Sequence, residues 1–310
     1  PEYVDIISLK LKEPLLPGAS ITISSPFRVK IPSGRFSRLG HIGESYQIVQ
    51  WYPKPAVYDK NGWNEMPYLD QGEFYSEYGT FEVTITLPEN YVVAATGNLM
   101  TPAETSWLAQ LAAQTKTKTT FESDNSFPES SSKLKTITYK QSKVHDFAWF
   151  ADKRFHVLKG ETKLAGSGKT IATWAFFTNS EPQLWMKSLD YIRDGLQYYS
   201  ARIGDYPHAS YTAIDGTSSA GEGMEYPMIT IIGESGDDFT LEDVIVHEVG
   251  HSWFFDVLGF NERKEGWLDE GINSYYELAY IRNKYPAEAE KGKHDLGEMG
   301  FVGKLTGIND

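Results

Sequence analysis

Residues 246–277 read V-H-E-V-G-H-S-W-F-F-D-V-L-G-F-N-E-R-K-E-G-W-L-D-E-G-I-N-S-Y-Y-E, and this stretch decides the fold of the second half of the chain. Within it, His247, Glu248 and His251 form H-E-x-x-H, a pattern that on a helix is typical of zinc-binding sites. Residues i and i+4 of an α-helix lie on one face, about 6 Å apart, so both imidazoles can reach one ion. Glu248 is rotated by roughly 100° from His247, which predicts a carboxylate beside the ion, acting on water as a base.

The site needs a third ligand, because a catalytic zinc takes three protein ligands and keeps one position for water or substrate. Glu270 follows His251 by 19 residues in W-L-D-E-G, and a helical pattern, I-N-S-Y-Y-E-L-A-Y-I, comes after it. This interval allows the first helix to end near Gly259, a polar turn, and a second helix that returns a carboxylate to the ion. The sequence therefore predicts one Zn²⁺ per chain, held by two histidines and one glutamate, the ligand set of thermolysin and carboxypeptidase.

The other histidines and the nearby Glu277 are weaker candidates for a role at the metal site. Glu277 lies seven residues after Glu270 on the same helical face, where it can orient one imidazole by accepting a hydrogen bond. An ordinary exposed glutamate explains it equally well. The alternative to a metal site is that H-E-x-x-H arose by chance among seven histidines. The Glu270-Gly271 pair at a suitable distance makes chance the weaker explanation. The remaining histidines have no partner at ligand spacing and are predicted to be structural: His41, His145, His156, His208 and His294.

Composition excludes several classes of protein. The chain has 310 residues, 40% apolar, with a net charge of -13, so nucleic acid and anionic membrane surfaces are poor partners. With no cysteine there are neither disulfides nor thiolate metal sites. The sequence contains no apolar run of membrane-spanning length. Because the chain opens on Pro1 and moves straight into a strand pattern, we expect a removed targeting segment, and an exported location is favoured slightly over a cytoplasmic one.

The hydrophobic period changes once along the chain. Up to about Lys159 the pattern alternates as in β-strands, for example at residues 4–11, 21–31, 81–88 and 134–140, with turn signals between them. The Ser- and Thr-rich segment 115–135 is predicted to be a loop or hairpin. From Pro182 to about Ile203 the spacing is helical, and the acidic pair at residues 237–238 favours a helix start over a calcium site. We therefore predict an all-β domain over residues 1–160 and a second domain over residues 161–310.

Several motifs together resemble the aminopeptidase N-like family of zinc metallopeptidases, which includes leukotriene hydrolase. These are H-E-V-G-H, the spacing to Glu270, G-M-E-Y-P at residues 223–227, W-Y-P-K-P-A-V-Y-D at residues 51–59 and D-F-A-W-F at residues 146–150. The resemblance covers nearly all of the chain. It implies an α+β fold, in which a saddle-like β-sheet domain packs on a thermolysin-like catalytic domain that is truncated at its C-terminal end.

The resemblance also implies roles for the G-M-E-Y-P segment. Glu225 corresponds to the glutamate that pairs with the free α-amino group of a peptide, and Gly223 and Met224 to the backbone that holds it; Glu222 is the nearby competitor. Tyr226 replaces the Asn of the family, which weakens the expected amine pocket. The family tyrosine that stabilises the oxyanion has no match before Asp310.

The expected activity is zinc-dependent aminopeptidase hydrolysis of peptides with a free N-terminus. A thermolysin-type endopeptidase and a non-catalytic peptidase-like scaffold are the alternatives.

Overall fold

The computed structural model describes residues 5–35, 38–69, 73–216 and 223–288. Its strands are β1 Gly40–Ile42, β2 Ser45–Ile48, β3 Val57–Asp59, β4 Gly62–Asn64, β5 Gly79–Pro88, β6 Val92–Ala95, β7 Asn98–Leu99, β8 Leu134–Val144, β9 Trp149–Asp152, β10 His156–Lys163, β11 Thr170–Phe177, β12 Ser210–Asp215, β13 Gly223–Tyr226 and β14 Ile229–Ile232. Its helices are α1 Pro102–Lys116, α2 Pro182–Trp185, α3 Ser188–Arg202, α4 Asp238–His251, α5 Glu262–Glu265 and α6 Glu270–Lys284. The fold is α+β, as the sequence predicts.

The first part of the chain is built from antiparallel sheets. One has the strand order β1-β2-β9-β6, a second has the order β5-β8-β7, and β3 and β4 form a separate hairpin. The long pair β5–β8 has the two faces that alternation predicts: Ile85 pairs with Ile137 on the buried face. On the exposed face, the hydroxyls of Thr84 and Thr138 lie 2.9 Å apart. Both strands were predicted from their period of two.

Two predictions for this part need correction. The alternating segments 4–11 and 21–31 were predicted as strands, but residues 5–31 form no strand and leave large side chains exposed, Ile7 at 80% and Leu16 at 69%. A period of two predicts an extended chain, whereas a strand also needs a neighbouring backbone to pair with. Helix α1 interrupts the segment that was read as all-β. The sequence does carry a helix signal at its start, T-P-A-E at residues 101–104, with Thr101 at the N-cap and Pro102 at the first helical position.

The second part is organised on a five-stranded sheet in the order β10-β11-β12-β14-β13. Strands β11, β12 and β14 are parallel, and the two edge strands are antiparallel to their neighbours. Helices α3 and α4 cover one face, where Ile192, Leu196 and Val249 are fully buried. The backbones approach closely here, because a Cβ on Gly195 of α3 would lie only 3.2 Å from Val249 of α4.

The opposite face of this sheet packs against the first part of the chain. Ile214 and Phe176 share a buried cluster with Phe150 of β9 and Leu108 of α1. Strand β10 runs through position 160, so the sheet of the second part begins at His156; the domain limit at residues 160–161 stays a prediction. No helix within the described ranges combines the length and the apolar character that crossing a bilayer requires.

Candidate metal centre

Helix α4 carries both histidines, and its sequence explains where it begins and ends. Asp237 caps its N-terminus by accepting a hydrogen bond from the Thr240 amide at 2.8 Å, which lowers the pKa of the Asp237 carboxyl. The acidic pair is therefore a helix start, as predicted. After His251 the chain continues as a π-helix, Ser252–Val257, and the turn is completed at Gly259, whose φ is +47°. The first helix thus ends where the spacing indicated.

Helix α6 is held against α4 at the level of the histidines. The side-chain amide of Asn273, on α6, donates a 2.8 Å hydrogen bond to the carbonyl oxygen of His247. Gly250 makes this contact possible, because a Cβ there would lie 1.9 Å from Oδ1 of Asn273 and 2.6 Å from Tyr199. The close crossing places Glu270, the first residue of α6, beside the two imidazoles.

The three predicted ligands come together at one point. Nε2 of His247 lies 3.0 Å from Nε2 of His251 and 3.3 Å from Oε2 of Glu270, and the His251–Glu270 distance is 3.8 Å. A tetrahedral zinc with bonds of about 2.0–2.1 Å holds its ligand atoms about 3.4 Å apart, so this triangle has the required size. A catalytic centre must also be open to substrate on one side. The Glu270 side chain is 50% exposed, whereas His251 is buried, so the site is open on the Glu270 side.

Each imidazole is oriented by a carboxylate on its other nitrogen. Nδ1 of His247 lies 2.8 Å from Glu277 Oε2, and Nδ1 of His251 lies 2.5 Å from Asp269 Oδ1. An ionised carboxylate can only accept a hydrogen bond, so each Nδ1 carries the proton and each Nε2 presents a lone pair. Two lone pairs and a carboxylate oxygen then face one another, an arrangement that fits a cation. The predicted contact of Glu277 is present, whereas Asp269 was not predicted, although it immediately precedes a ligand.

The electrostatics of the ligand group agree with a cation site. Burial lowers the pKa of the His247 imidazole, but its hydrogen bonds to Glu270 and Glu277 outweigh burial and raise that pKa well above its ordinary value. Burial, followed by the neighbouring His247, lowers the pKa of His251. The carboxylates therefore favour positive charge at this point, and a divalent ion supplies it with the correct donors.

Glu248 projects from α4 beside the ligands, as its position on the helix predicts. Its side chain is buried, and Oε2 lies 3.1 Å from the hydroxyl of Thr230 on β14. Burial is the main reason that the pKa of the Glu248 carboxyl is raised. Gly223 is needed here, because a Cβ at this position would lie 2.3 Å from Oε1 of Glu248. The first residue of β13 is thus in direct contact with the candidate base.

Glu225, on β13, extends its side chain towards Glu248 and His251. Its carboxylate, that of Glu248 and an imidazole nitrogen of His251 can present donor atoms within 4.8 Å of one another. Burial, followed by Asp269 and Glu248, raises the pKa of Glu225 well above its ordinary value. Met224, between Gly223 and Glu225, turns its side chain into the core. Glu222, the competing acid, lies outside the described residues.

Solved structures with this fold are zinc metallopeptidases. A variant of the M1 zinc metallopeptidase from Deinococcus radiodurans aligns with 85% of this chain and 52% of its own, at 18% identity and a TM-score of 0.54. Aminopeptidase A from Legionella pneumophila, in complex with aspartic acid, aligns with 66% of this chain and 23% of its own, at 13% identity and a TM-score of 0.51. Another two-domain M1 zinc metallopeptidase variant, bound to L-tryptophan, covers 83% of this chain, and this chain covers 50% of it, at 17% identity and a TM-score of 0.51. At these identities the similarity establishes the fold.

Sequence similarity to known proteins covers a short part of this chain. Aminopeptidase B from Rattus norvegicus and from Homo sapiens are each 40% identical to this chain over 55 residues, which is 17% of this chain and 8% of theirs. The chain thus spans less than a tenth of these relatives and about half of the Deinococcus structure. Residues 227–300, which contain the two histidines and Glu270, match the peptidase family M1 domain. The chain therefore carries a segment that matches the peptidase family M1 domain, on a fold that it shares with solved M1 zinc metallopeptidases.

Proposed function

We propose that this protein is a zinc aminopeptidase that removes residues from peptides with a free N-terminus. The observation that carries the proposal is the position of Glu225, whose buried carboxylate lies within 4.8 Å of donor atoms of Glu248 and His251. An ammonium group bound to Glu225 would bring the first peptide bond of the substrate to the base and the metal ligands. A longer N-terminal extension would collide with the same acid.

Each of these residues has a separate role in the proposed reaction. His247, His251 and Glu270 hold the zinc ion, which when bound lowers the pKa of water and polarises a carbonyl oxygen. Glu248 accepts a proton from the attacking water and passes it to the leaving amine. Glu225 neutralises the α-ammonium of the substrate, and the backbone at Gly223 and Met224 aligns the peptide.

A direct test compares an aminoacyl-coumarin reporter with its N-acetylated form, using the purified protein loaded with zinc. An aminopeptidase cleaves only the free form, because acetylation removes the charge that Glu225 binds. Comparable cleavage of an acetylated peptide would support the thermolysin-type endopeptidase instead. Absence of turnover of every peptide, with one zinc bound per chain, would favour the scaffold. Glu225→Gln supplies the matched variant and is expected to lower kcat/KM for the free reporter about 10- to 100-fold, the order of one lost charge-assisted hydrogen bond.

A further inference from the structure

Strand β14 carries one polar side chain in an otherwise apolar run. It reads I-T-I-I over residues 229–232, and all four residues are buried. The exposed fraction of Thr230 is 0%, so its hydroxyl needs hydrogen-bond partners within the protein. Valine has the same β-branched shape and the same preference for strands. The feature of Thr230 that needs an explanation is therefore its hydroxyl and not its packing.

The hydroxyl of Thr230 has two partners, which belong to different parts of the site. Its Oγ1 lies 2.9 Å from the carbonyl oxygen of Met224 on β13 and 3.1 Å from Oε2 of Glu248 on α4. The first is an ordinary hydrogen-bond length and the second is slightly long, as is common for catalytic hydrogen bonds without substrate. Thr230 thus joins the proposed base to the strand whose backbone is proposed to align the peptide.

The pairing of β13 with β14 fixes this geometry. Thr230 lies directly opposite Glu225 in the antiparallel register, so both side chains are on the same face of the sheet. Glu248 approaches that face from α4, and a Cβ on Gly223 would lie 2.3 Å from its Oε1. The two oxygens of the Glu248 carboxylate are therefore located by one hairpin, Oε1 by the close approach of Gly223 and Oε2 by the hydroxyl of Thr230.

A hydroxyl is suited to a group that gains and loses a proton. It has one proton to donate and lone pairs to accept with, whereas the Met224 carbonyl can only accept. While Glu248 is ionised, Thr230 can donate to Oε2. Once Glu248 carries the proton taken from water, it can donate to Oγ1, and Thr230 can turn its own proton to the Met224 carbonyl. The hydrogen bond to the base is kept in both states, and no proton of Thr230 is transferred.

We propose that Thr230 is a positioning residue, whose hydroxyl holds the carboxylate of Glu248 in one orientation relative to the metal ligands and to β13. This inference rests on the aminopeptidase function proposed above, in which Glu248 accepts a proton from water. Thr230 is fully buried beneath Glu248, so it acts through the base and not on the substrate.

The test compares Thr230→Val, which removes the hydroxyl, with Thr230→Ser, which keeps it. With zinc-loaded protein and the free aminoacyl-coumarin reporter, we expect Thr230→Val to lower kcat about tenfold, the order of one hydrogen bond to a charged group. KM should not change, because substrate binding does not involve the hydroxyl. Thr230→Ser should keep most of kcat.

The matched control is Thr162→Val. Thr162 is a buried threonine of β10, in the same sheet, and its hydroxyl has no hydrogen-bond partner among the described residues. The substitution removes the same group from the same kind of position, away from Glu248. It should leave kcat unchanged.

Two further measurements separate positioning from a purely structural role. In a Glu248→Gln background, Thr230→Val should lower kcat less than twofold further, because the hydroxyl acts through the residue already changed. A structural role would give the same factor in both backgrounds. The crystal structure of the zinc-loaded Thr230→Val protein needs no turnover, and it should show the Glu248 carboxylate displaced while His247, His251 and Glu270 stay in place.

Several outcomes would overturn the inference. These are an unchanged kcat in Thr230→Val, an equal loss of kcat in Thr230→Ser, and a Glu248 carboxylate that keeps its position without the hydroxyl. Loss of bound zinc or of thermal stability together with kcat in both variants would assign Thr230 to the fold alone. If the unchanged protein cleaves no aminoacyl reporter, the proposed function fails, and the variant's crystal structure then decides separately whether Thr230 positions Glu248.

Discussion

The two sides of the site differ in how their polar atoms are satisfied. On the histidine side, Nδ1 of each imidazole meets a carboxylate, and Asn273 fixes the backbone of His247. On the carboxylate side, Glu225, Glu262 and Asp269 present oxygens within 4.8 Å of one another, and Oδ2 of Asp269 has no hydrogen-bond partner among the described residues. The histidine side thus has its donor atoms fixed by hydrogen bonds, whereas the carboxylate side gathers like charges.

The largest effect is expected where the two sides meet, at Glu248. Glu248→Gln keeps the size of the side chain but removes the proton acceptor, so kcat should fall by about 100- to 10,000-fold. Zinc content, measured by elemental analysis, should not change, because Glu248 is not a ligand. Full peptidase activity of the variant with zinc bound would show that Glu248 is not the base. Glu265→Gln serves as the control, because the Glu265 carboxylate is exposed and accepts a hydrogen bond from the Trp267 indole.

The histidine side can be tested by removing, one at a time, the two carboxylates that orient the imidazoles. Asp269→Ala should weaken zinc binding by about 10- to 100-fold, the usual cost of losing such a partner. Glu277→Ala should have a smaller effect, because its side chain is 15% exposed and water can replace it, whereas Asp269 is fully buried. Competition with a chelator measures both affinities. A larger loss in Glu277→Ala would reverse the order of importance that burial predicts.

The structure brings the three predicted ligands together, and the sequence information that identifies them is local. The five residues H-E-V-G-H on one helix and the Glu-Gly pair at the start of the next identify His247, His251 and Glu270. The helical period then places Glu277 on the same face as Glu270.

The features that the sequence did not predict all depend on contacts between distant segments. Asp269 contacts His251 only because α6 crosses α4, and Glu262 approaches Glu225 only because the fold brings α5 near β13. The same limit explains the wrong prediction for residues 5–31: alternation describes one chain, while a sheet requires two. Helix α1 is different, since its start signal, T-P-A-E at residues 101–104, is local and lies in the sequence itself.

The smallest predicted effect concerns the close contact between Gly250 and Asn273, which holds α6 against α4. Gly250→Ala would place a Cβ 1.9 Å from Oδ1 of Asn273, a fully buried side chain that cannot move without losing its hydrogen bond to the His247 carbonyl. We expect a loss of about 1–3 kcal/mol in the free energy of unfolding, the usual cost of overpacking, measured by denaturant titration.

Gly79→Ala is the control, because the nearest atom to a Cβ there is 4.0 Å away. Since α6 also carries Glu270, the Gly250→Ala protein should bind zinc more weakly as well. Unchanged stability with weakened zinc binding would mean that the helices adjust locally, and that the ligand triangle depends on this crossing more than the fold does.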